Sequence, residues 1–448
     1  MRIKSNRLLA AVIVGLLSGS TSAFATNGPF VIGFGAAAEG VGGAAVAFPQ
    51  DAMAAGANPA GIADMGIRFD VGGTFFLPNR CAGEVGLFGG SPDDNGNAHC
   101  GASGSNLFLI PGMGFTFPFD DNLTIGIAAL GNGGGNSTYD PNFFSLGGST
   151  KYLGVDLVQL IVPITAAWKF NETHTVGLSV VPARQRFLAQ GMQAFYSYSA
   201  EPDYVTNNGH DFANGLGMRI GWLGHFADDR LTLGATWASK VYMQKFEHYR
   251  GLFAERGSFD IPENYAVGIA YKATPKMTIA LDYQKILFSD VPSIGNPGPT
   301  NILYSGTPIY DSANHQLGKI DGMGFGWKDM DVYKIGVAYK EAFPSLFDDK
   351  LTLRVGYNYG KNPVPDSQLL FSTVAPAITE KHATLGFTYK LGEQSILGFG
   401  SEGEFTFAYV KALSNRQQAT LLFDNTTPVT AVAEMDIDSL TFAYTLKF

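Results

Sequence analysis

From Ile67 onward the chain repeats one pattern, in which about ten residues alternate between apolar and small or polar side chains before a turn. Residues 123–129, 231–237 and 351–359 show the pattern clearly. A period of two places successive side chains on opposite faces of a β-strand. Each predicted strand therefore has one large, apolar face and one face of Gly, Thr and other small or polar residues.

This pattern is typical of a transmembrane β-barrel, because a closed barrel leaves no unpaired backbone groups in lipid. Charged residues make up 15% of the sequence, well below the roughly 25% of a soluble domain. The one long apolar run, at residues 8–17, is shorter than the roughly 20 residues that a membrane-spanning helix needs. The predicted fold class is all-β, an antiparallel transmembrane barrel, with a secreted sandwich or solenoid as the alternative.

The first residues have the features of a secretory signal. Three basic residues precede the apolar run at 8–17, and Ala23 and Ala25 form a small-x-small cleavage site. We therefore expect a signal peptide at 1–25, a mature chain from Thr26 and a multi-pass location in the outer membrane of a Gram-negative cell. The formal charge of −9 becomes more negative without this segment, which argues against nucleic acid as a partner.

A recurring turn motif gives the number of strands. Near copies of an acidic turn followed by Leu-Thr stand at 120–125, 228–233 and 348–353, and looser versions stand at 171–176 and 274–279. The aligned threonines are Thr124, Thr175, Thr232, Thr278 and Thr352. Their spacing gives about seven pairs of strands between residues 67 and 448, and because bacterial barrels have even strand numbers we predict about 14, with 12 and 16 as alternatives.

Longer, irregular connections separate these tight turns. They are expected at about 79–106, 133–155, 197–214, 250–258, 291–330, 362–378 and 414–434. Short periplasmic turns and long outer loops are the rule in such barrels, so both termini are expected in the periplasm. Loops of this length in a compact protein are usually functional.

Residues 26–66 do not alternate and are rich in Gly and Ala. Glycine and proline limit this stretch to short helices, of which residues 51–57 are the best candidate. The segment is either a flexible periplasmic leader or a plug inside the barrel. A lumen of fourteen strands has room for a plug, because eight strands already enclose enough space for side chains.

Three motifs in this stretch resemble the FadL family of outer-membrane long-chain fatty acid and hydrocarbon transporters. They are Gly40-Val41-Gly42-Gly43-Ala44, Pro49-Gln50-Asp51 and Asn58-Pro59-Ala60-Gly61. The resemblance implies a fourteen-stranded barrel at 67–448 and a hatch at 26–66 with a turn at Asn58, Pro59 and Ala60. It also implies ligand capture at outer loops, with Phe30 near the ligand, and exit through a gap in the barrel wall beside a kinked third strand.

Glycines 131, 133, 134 and 135 follow the third predicted strand directly. Glycine runs break a β-ladder and permit bulges or bends. From the residues alone, this run is either the start of an outer loop or a bend in the strand. The family resemblance favours a kink and gap at Gly131, Gly133, Gly134 and Gly135.

Arg184 and Arg186 are candidate ligands for a fatty acid carboxylate, because Arg pairs with carboxylates in a bidentate manner. Strict alternation puts both on the lipid-facing side unless Pro182 introduces a bulge. The alternative is that they extend to the headgroup or lipopolysaccharide zone, and Arg354 is a competing lumenal candidate. Burying an acyl chain contributes roughly 12 kcal/mol at ~0.8 kcal/mol per methylene, so aromatic or aliphatic hydrocarbons without a carboxylate are alternative ligands.

Cys81 and Cys100 both fall in the first long loop, and export to an oxidising compartment predicts a disulfide between them. The seven histidines show no metal-binding or catalytic spacing. We therefore predict a passive, non-enzymatic channel without metal or cofactor. It is expected to act as a monomer and to contact a hydrophobic ligand, outer-membrane lipid and lipopolysaccharide. An outer-membrane lipid hydrolase and a general porin are the alternatives of other classes.

Overall fold

The computed structural model describes residues 27–86, 88–146, 150–298, 315–396, 399–423 and 427–448. The predicted signal peptide lies outside these ranges. No helix within them is long and apolar enough to cross a membrane. The barrel strands are β1 Arg68–Val85, β2 Phe108–Pro118, β3 Leu123–Tyr139, β4 Leu153–Ile161 with Ile164–Lys169, β5 His174–Gln190, β6 Asp211–Phe226, β7 Leu231–Ala238, β8 Asn264–Lys272, β9 Met277–Ile286, β10 Met330–Tyr339, β11 Leu351–Gly360, β12 Lys381–Ile396, β13 Phe399–Phe423 and β14 Thr427–Lys447.

Within the described ranges, these fourteen strands form a closed antiparallel barrel. Each strand pairs with its neighbours in sequence, and β1 pairs with β14 from Arg68↔Lys447 to Val85↔Thr430. Two short strands, Gly101–Ala102 and Tyr242–Met243, add to β1 and β6. The predicted strand number is confirmed, and each of the five aligned threonines is the second residue of its strand.

The alternation seen in the sequence divides the outer from the inner face. In β8, Val267 is 52% exposed and Ile269 is 46% exposed. Ala266 and Ala270, which flank these two residues in the sequence, are buried. The large apolar side chains face outward, where a barrel meets lipid. The chain therefore has the apolar band of a multi-pass outer-membrane barrel.

Three predicted loops, at 79–106, 133–155 and 414–434, begin too early in the sequence. β1 continues to Val85. β3 continues through the glycine run to Tyr139, and β13 and β14 extend across most of 414–434. Their ladder includes the pair Thr420↔Thr430, whose hydroxyls lie 2.9 Å apart. The alternation of apolar and polar residues weakens in these stretches although strand pairing continues. Their polar residues therefore predicted a loop where the backbone is an extended strand.

Short helices lie outside the barrel strands. Three are in the N-terminal part, at Ala36–Gly40, Ala52–Gly56 and Pro59–Ile62. The others lie in connections between strands, at Gln193–Tyr198, Pro202–Tyr204, Glu247–Tyr249, Ala254–Gly257, Phe288–Asp290, Pro292–Gly295, Pro344–Phe347, Asp366–Gln368 and Leu369–Ser372.

Residues 27–66, called the N-terminal segment below, lie against the inward-facing glycines of the barrel strands. A Cβ atom added at Gly356 of β11 would lie 2.2 Å from the backbone nitrogen of Gly42. Comparable backbone contacts join Gly336 to Val41, Gly234 to Val46 and Gly177 to Ala60. The face of small residues seen in the sequence is therefore the inner surface of the barrel, and this segment packs on it.

Buried polar groups add directional contacts to the same packing. Asp282 of β9 accepts hydrogen bonds from the backbone nitrogens of Ala45 at 2.8 Å and Val46 at 2.9 Å. The Asn58 side chain donates to the carbonyls of Val46 at 2.8 Å and Trp222 at 3.1 Å. The Asn58-Pro59-Ala60 turn thus lies against the inner faces of β5 and β6.

The predicted disulfide is confirmed, since Cys81 and Cys100 are bonded. It joins the outer end of β1 to the short strand Gly101–Ala102. The bond therefore ties the first long connection back to the barrel.

We expect Gly356→Val to displace the N-terminal segment while the barrel still forms. Overpacking of this kind costs about 1–3 kcal/mol, and the clash involves the backbone of Gly42, which cannot rotate away. Limited proteolysis with mass spectrometry should find faster cleavage within residues 27–66, and heat-modifiable gel mobility should report an intact barrel. Gly400→Val is the matched control, because its Cβ would meet nothing within 4 Å. Equal cleavage of both variants would contradict this packing.

Candidate ligand site and wall gap

The ladder between β2 and β3 is incomplete. It runs from Pro118↔Thr124 to Gly112↔Leu130. Beyond that point β2 continues to Phe108 paired with β1, and β3 continues to Tyr139 paired with β4. The two sides of this opening approach again at its outer end, where the backbone nitrogen of Gly104 donates to the Thr138 carbonyl at 2.7 Å.

Irregular backbone surrounds this opening. The register of β3 against β4 shifts between Gly131 and Gly133. β4 is interrupted at residues 162–163, where the Val162 nitrogen donates to the Pro182 carbonyl of β5 at 2.8 Å. A Cβ at Gly131 would lie 2.3 Å from the Ile110 side chain, so glycine permits Ile110 to sit across the lower edge of the gap.

The start of the N-terminal segment covers the irregular part of β3 from inside. Phe30 forms an antiparallel bridge with Gly133, and the Gly134 nitrogen donates to the Pro29 carbonyl at 3.1 Å. A Cβ at Gly133 would lie 1.7 Å from that carbonyl oxygen. Glycine at 133 is therefore required for this contact, which satisfies backbone groups that β2 does not pair.

An apolar cavity lies beside this contact. Its lining consists of apolar side chains and glycines, and the one polar atom among the side chains, the indole nitrogen of Trp327, donates to Ser372 at 3.0 Å. The lining residues are Pro29, Gly134, Gly135, Val155, Leu157, Phe187, Phe253, Phe259, Ile294, Phe325, Trp327, Ala375 and Ala377.

Buried aromatic rings connect this cavity to the outer loops. Phe325 contacts Phe371 with ring centroids 5.0 Å apart, Phe371 contacts Phe195 at 5.2 Å, and Phe195 contacts Phe88 at 5.4 Å. On the inner side, Phe30 lies 5.9 Å from Phe288. Phe30, which the resemblance placed near the ligand, thus packs at the inner end of this aromatic cluster.

A second cavity is lined by residues 30–34 on one side and by polar residues of the barrel on the other. We call it the cationic cavity, because Arg219 and Lys334 line it. Arg219 is 8% exposed and donates to the Ala57 carbonyl at 3.0 Å; Lys334 is 9% exposed and donates to the Ile32 carbonyl at 3.1 Å. Among the described residues, neither cation has a carboxylate within ion-pair distance.

A third cavity adjoins the wall gap and is called the gap cavity. Ile110, Leu130 and Gly131 line it from the gap, and Glu39 of the N-terminal segment lines it from inside. The Thr441 hydroxyl donates to the Glu39 carboxylate. Burial raises the pKa of the Glu39 carboxyl to about 7, against the opposing effect of hydrogen bonds from Thr441 and Thr74.

Arg184 and Arg186 do not reach any of these cavities. Both lie on the outward face of β5, since its register with β6 runs through Pro182 without a bulge. Arg184 donates to the Asn214 side chain at 3.2 Å, and Arg186 pairs with Asp156 at 2.8 Å. This placement disagrees with the lumenal ligand role predicted for them, and neither is part of the site proposed below.

Arg354, the competing candidate, faces the lumen but is occupied by structural contacts. It donates to Gln50 of the N-terminal segment at 2.8 Å and to Thr388 at 2.7 Å. The ionisable residues lining these cavities that the sequence reasoning missed are Arg219, Lys334 and Glu39. The available signal for Arg219 and Lys334 was an inward position in an alternating strand. For Glu39 it was the position within a run of small residues.

A closed barrel with an apolar cavity, a wall gap and an inner segment across it defines a channel for hydrophobic molecules. Among the described residues, no cluster of His, Cys, Asp or Glu could hold a metal ion. The family described as "Outer membrane protein transport protein (OMPP1/FadL/TodX)" matches residues 16–448. The chain belongs to this family, and is therefore an outer-membrane transport protein for hydrophobic compounds rather than an enzyme.

Solved structures share the fold at low sequence identity. The Pseudomonas putida toluene transporter TodX matches with a TM-score of 0.66 and 18% identity, covering 93% of this chain and 99% of that one. A Pseudomonas aeruginosa FadL homologue gives 0.65 and 16%, covering 94% and 100%. The Ralstonia pickettii toluene transporter TbuX gives 0.59 and 17%, covering 93% and 99%. No curated protein is similar enough in sequence to count as a match.

Trp327 provides a direct test of ligand binding in the apolar cavity, because the other three tryptophans, Trp168, Trp222 and Trp237, are at outward positions in their strands. In a variant with those three replaced by Phe, we expect a brominated hydrocarbon to quench Trp327 fluorescence in a saturable manner. In Trp327→Phe protein, quenching of the outer tryptophans should rise only in proportion to probe in the detergent. Unsaturable quenching in both proteins would contradict a binding cavity.

Proposed function

We propose that this protein carries hydrophobic, mainly uncharged molecules across the outer membrane by passive diffusion. The apolar cavity supports this proposal most directly, because its lining offers no charged group to a ligand. TodX and TbuX, which share the fold, are described as toluene transporters. A molecule would enter between the outer loops, pass along the aromatic cluster and reach the apolar cavity beside Gly134.

The N-terminal segment is proposed to act as a hatch. Residues 29–34 separate the apolar cavity from the gap cavity and the cationic cavity. Release of the short pairing between Phe30 and Gly133 would connect the apolar cavity to the wall gap. Few hydrogen bonds hold this pairing, so its opening costs much less than opening a full ladder.

Lateral exit into lipid is the second step of the proposal. Each buried methylene is worth ~0.8 kcal/mol, so a bound hydrocarbon would not leave readily into water. Movement through the gap into the membrane replaces one apolar environment with another at little cost. A general porin would need an open aqueous lumen, whereas here the N-terminal segment packs across the lumen. One barrel supplies the whole proposed route, which favours a functional monomer.

The outward polar cluster at Arg184, Arg186 and Asp156 supports a contact with the outer leaflet. Apolar outward residues such as Leu178 and Val180 lie below it on β5. This is the level at which basic side chains extend to headgroups. We therefore assign these arginines to lipid or lipopolysaccharide contact.

A disulfide across the gap should block uptake. A Cβ at Gly131 would lie 3.8 Å from the Ile110 Cβ, close to the mean of about 3.8 Å in disulfides. We expect Ile110→Cys combined with Gly131→Cys to reduce hydrocarbon uptake by cells at least about tenfold when oxidised, with recovery after reduction.

The matched control is Met113→Cys with Ala129→Cys, which crosslinks the same two strands where they are already paired. It should leave uptake unchanged, and wild-type protein in reductant controls for loss of the Cys81–Cys100 bond. Normal transport through the crosslinked gap would exclude lateral exit there.

Long-chain fatty acids are a second candidate substrate, supported by the cationic cavity. Among the described residues, Arg219 is buried without a carboxylate within ion-pair distance, whereas Lys334 has Asp282 as its neighbour across the ladder of β9 and β10. A buried cation is costly unless a partner or a ligand compensates its charge. A fatty acid could place its carboxylate there. The sequence resemblance to fatty acid transporters is consistent with this candidate.

Arg219→Gln separates the two candidates. Loss of a charged hydrogen bond costs about 1.5–3 kcal/mol, so dodecanoate affinity should fall by roughly tenfold to a hundredfold while dodecane affinity stays the same. Equilibrium dialysis of the purified protein measures both. Arg184→Gln, on the outer face, is the control and should change neither. Unchanged dodecanoate binding in Arg219→Gln would remove the fatty acid candidate.

A further inference from the structure

Glu39 is a buried acid without a cationic partner. It belongs to the helix Ala36–Gly40 and is 7% exposed. Its carboxylate accepts a hydrogen bond from Thr441, whose hydroxyl lies 2.8 Å from that of Thr74. Within the described ranges, no Lys, Arg or His lies within ion-pair distance of it.

Stability does not account for an acid at this position. A buried charge is costly unless an opposite charge compensates it. Buried ionisable groups that cost stability are frequent at functional sites.

The surroundings of Glu39 connect it to the wall gap. It lines the gap cavity opposite Ile110 and Gly131, which form the lower edge of the opening. Apart from Thr74, Thr441 and Glu39, the side chains that line this cavity are apolar. No basic residue lines it, whereas Arg219 and Lys334 line the cationic cavity on another side of residues 31–34. A molecule on its way to the gap therefore meets one acidic side chain, which carries a negative charge when it is ionised.

We propose that Glu39 gives the gap cavity a charge preference, so that neutral and cationic hydrophobic molecules reach the membrane while anionic ones are repelled. This inference rests on the proposed lateral exit. In the apolar surroundings of the cavity, repulsion between like charges is much stronger than in water. A fatty acid would accordingly leave through the gap in its neutral, protonated form.

The test compares three probes that share a ten-carbon chain and differ in charge: decan-1-ol, decane-1-sulfonate and decyltrimethylammonium. Their uptake rates are measured in isolated outer-membrane vesicles that retain lipopolysaccharide, at pH 8.5, where the Glu39 carboxyl is ionised. Vesicles without the protein give the background. We expect the wild type to take up the alcohol and the cation at least about tenfold faster than the sulfonate.

Glu39→Gln retains a group that can bond to Thr441 and removes the charge. It should raise sulfonate uptake at least about fivefold and leave alcohol uptake unchanged. Glu404→Gln is the matched control, because Glu404 is an inward acid that pairs with Lys447 at 2.5 Å and does not line the gap cavity. That variant should keep the wild-type preference.

Three results would overturn the inference. Equal uptake of alcohol and sulfonate by the wild type would refute the charge preference while leaving transport itself intact, and this comparison needs no variant to fold. An unchanged ratio in Glu39→Gln, with a lowered melting temperature, would assign Glu39 a structural role. Alcohol uptake no faster than in protein-free vesicles would instead refute the transport function on which the inference depends.

Discussion

The structure depends on the requirement that every backbone polar group in the membrane be hydrogen-bonded within the protein. The ladders between neighbouring strands, and the closing pair of β1 with β14, meet this requirement over most of the barrel. The opening between β2 and β3 is the place where the ladder stops early. There the backbone of Pro29 and Phe30 supplies hydrogen bonds to β3 from inside. The wall and the N-terminal segment are therefore parts of one hydrogen-bonded system.

This dependence explains why inward glycines and buried polar anchors recur around the barrel. Glycines such as Gly336 and Gly356 bring the N-terminal segment within backbone contact, and Asp282 fixes its position. The backbone of residues 40–62 packs against several barrel strands. The backbone of residues 29–31 is joined to the barrel by one short bridge to β3. The part of the segment that holds the fewest contacts is also the part that separates the three cavities.

Much of the barrel could be predicted from the sequence, because alternation and turn chemistry are local signals. Thr124 and its four counterparts marked strand starts to within one residue. Alternation reports the face on which a residue lies but not the height at which a strand ends. The predicted β13 and β14 were therefore shorter than the observed strands. It also placed Arg184 outward, and the structure agrees with that placement. Arg219, Lys334 and Glu39 lie far apart in sequence, and only closure of the barrel brings them around one lumen, which local patterns do not report.

The central claim is that a hydrophobic molecule occupies the apolar cavity and leaves through the wall. A structure of the protein soaked with a brominated hydrocarbon, with bromine located by anomalous scattering, tests it most directly. We expect a bromine site among Phe187, Phe325 and Trp327 and, at higher probe concentration, a second site beside Ile110 and Gly131. Bromine sites that follow the barrel axis between the N-terminal segment and the periplasmic opening, with the apolar cavity empty, would contradict it.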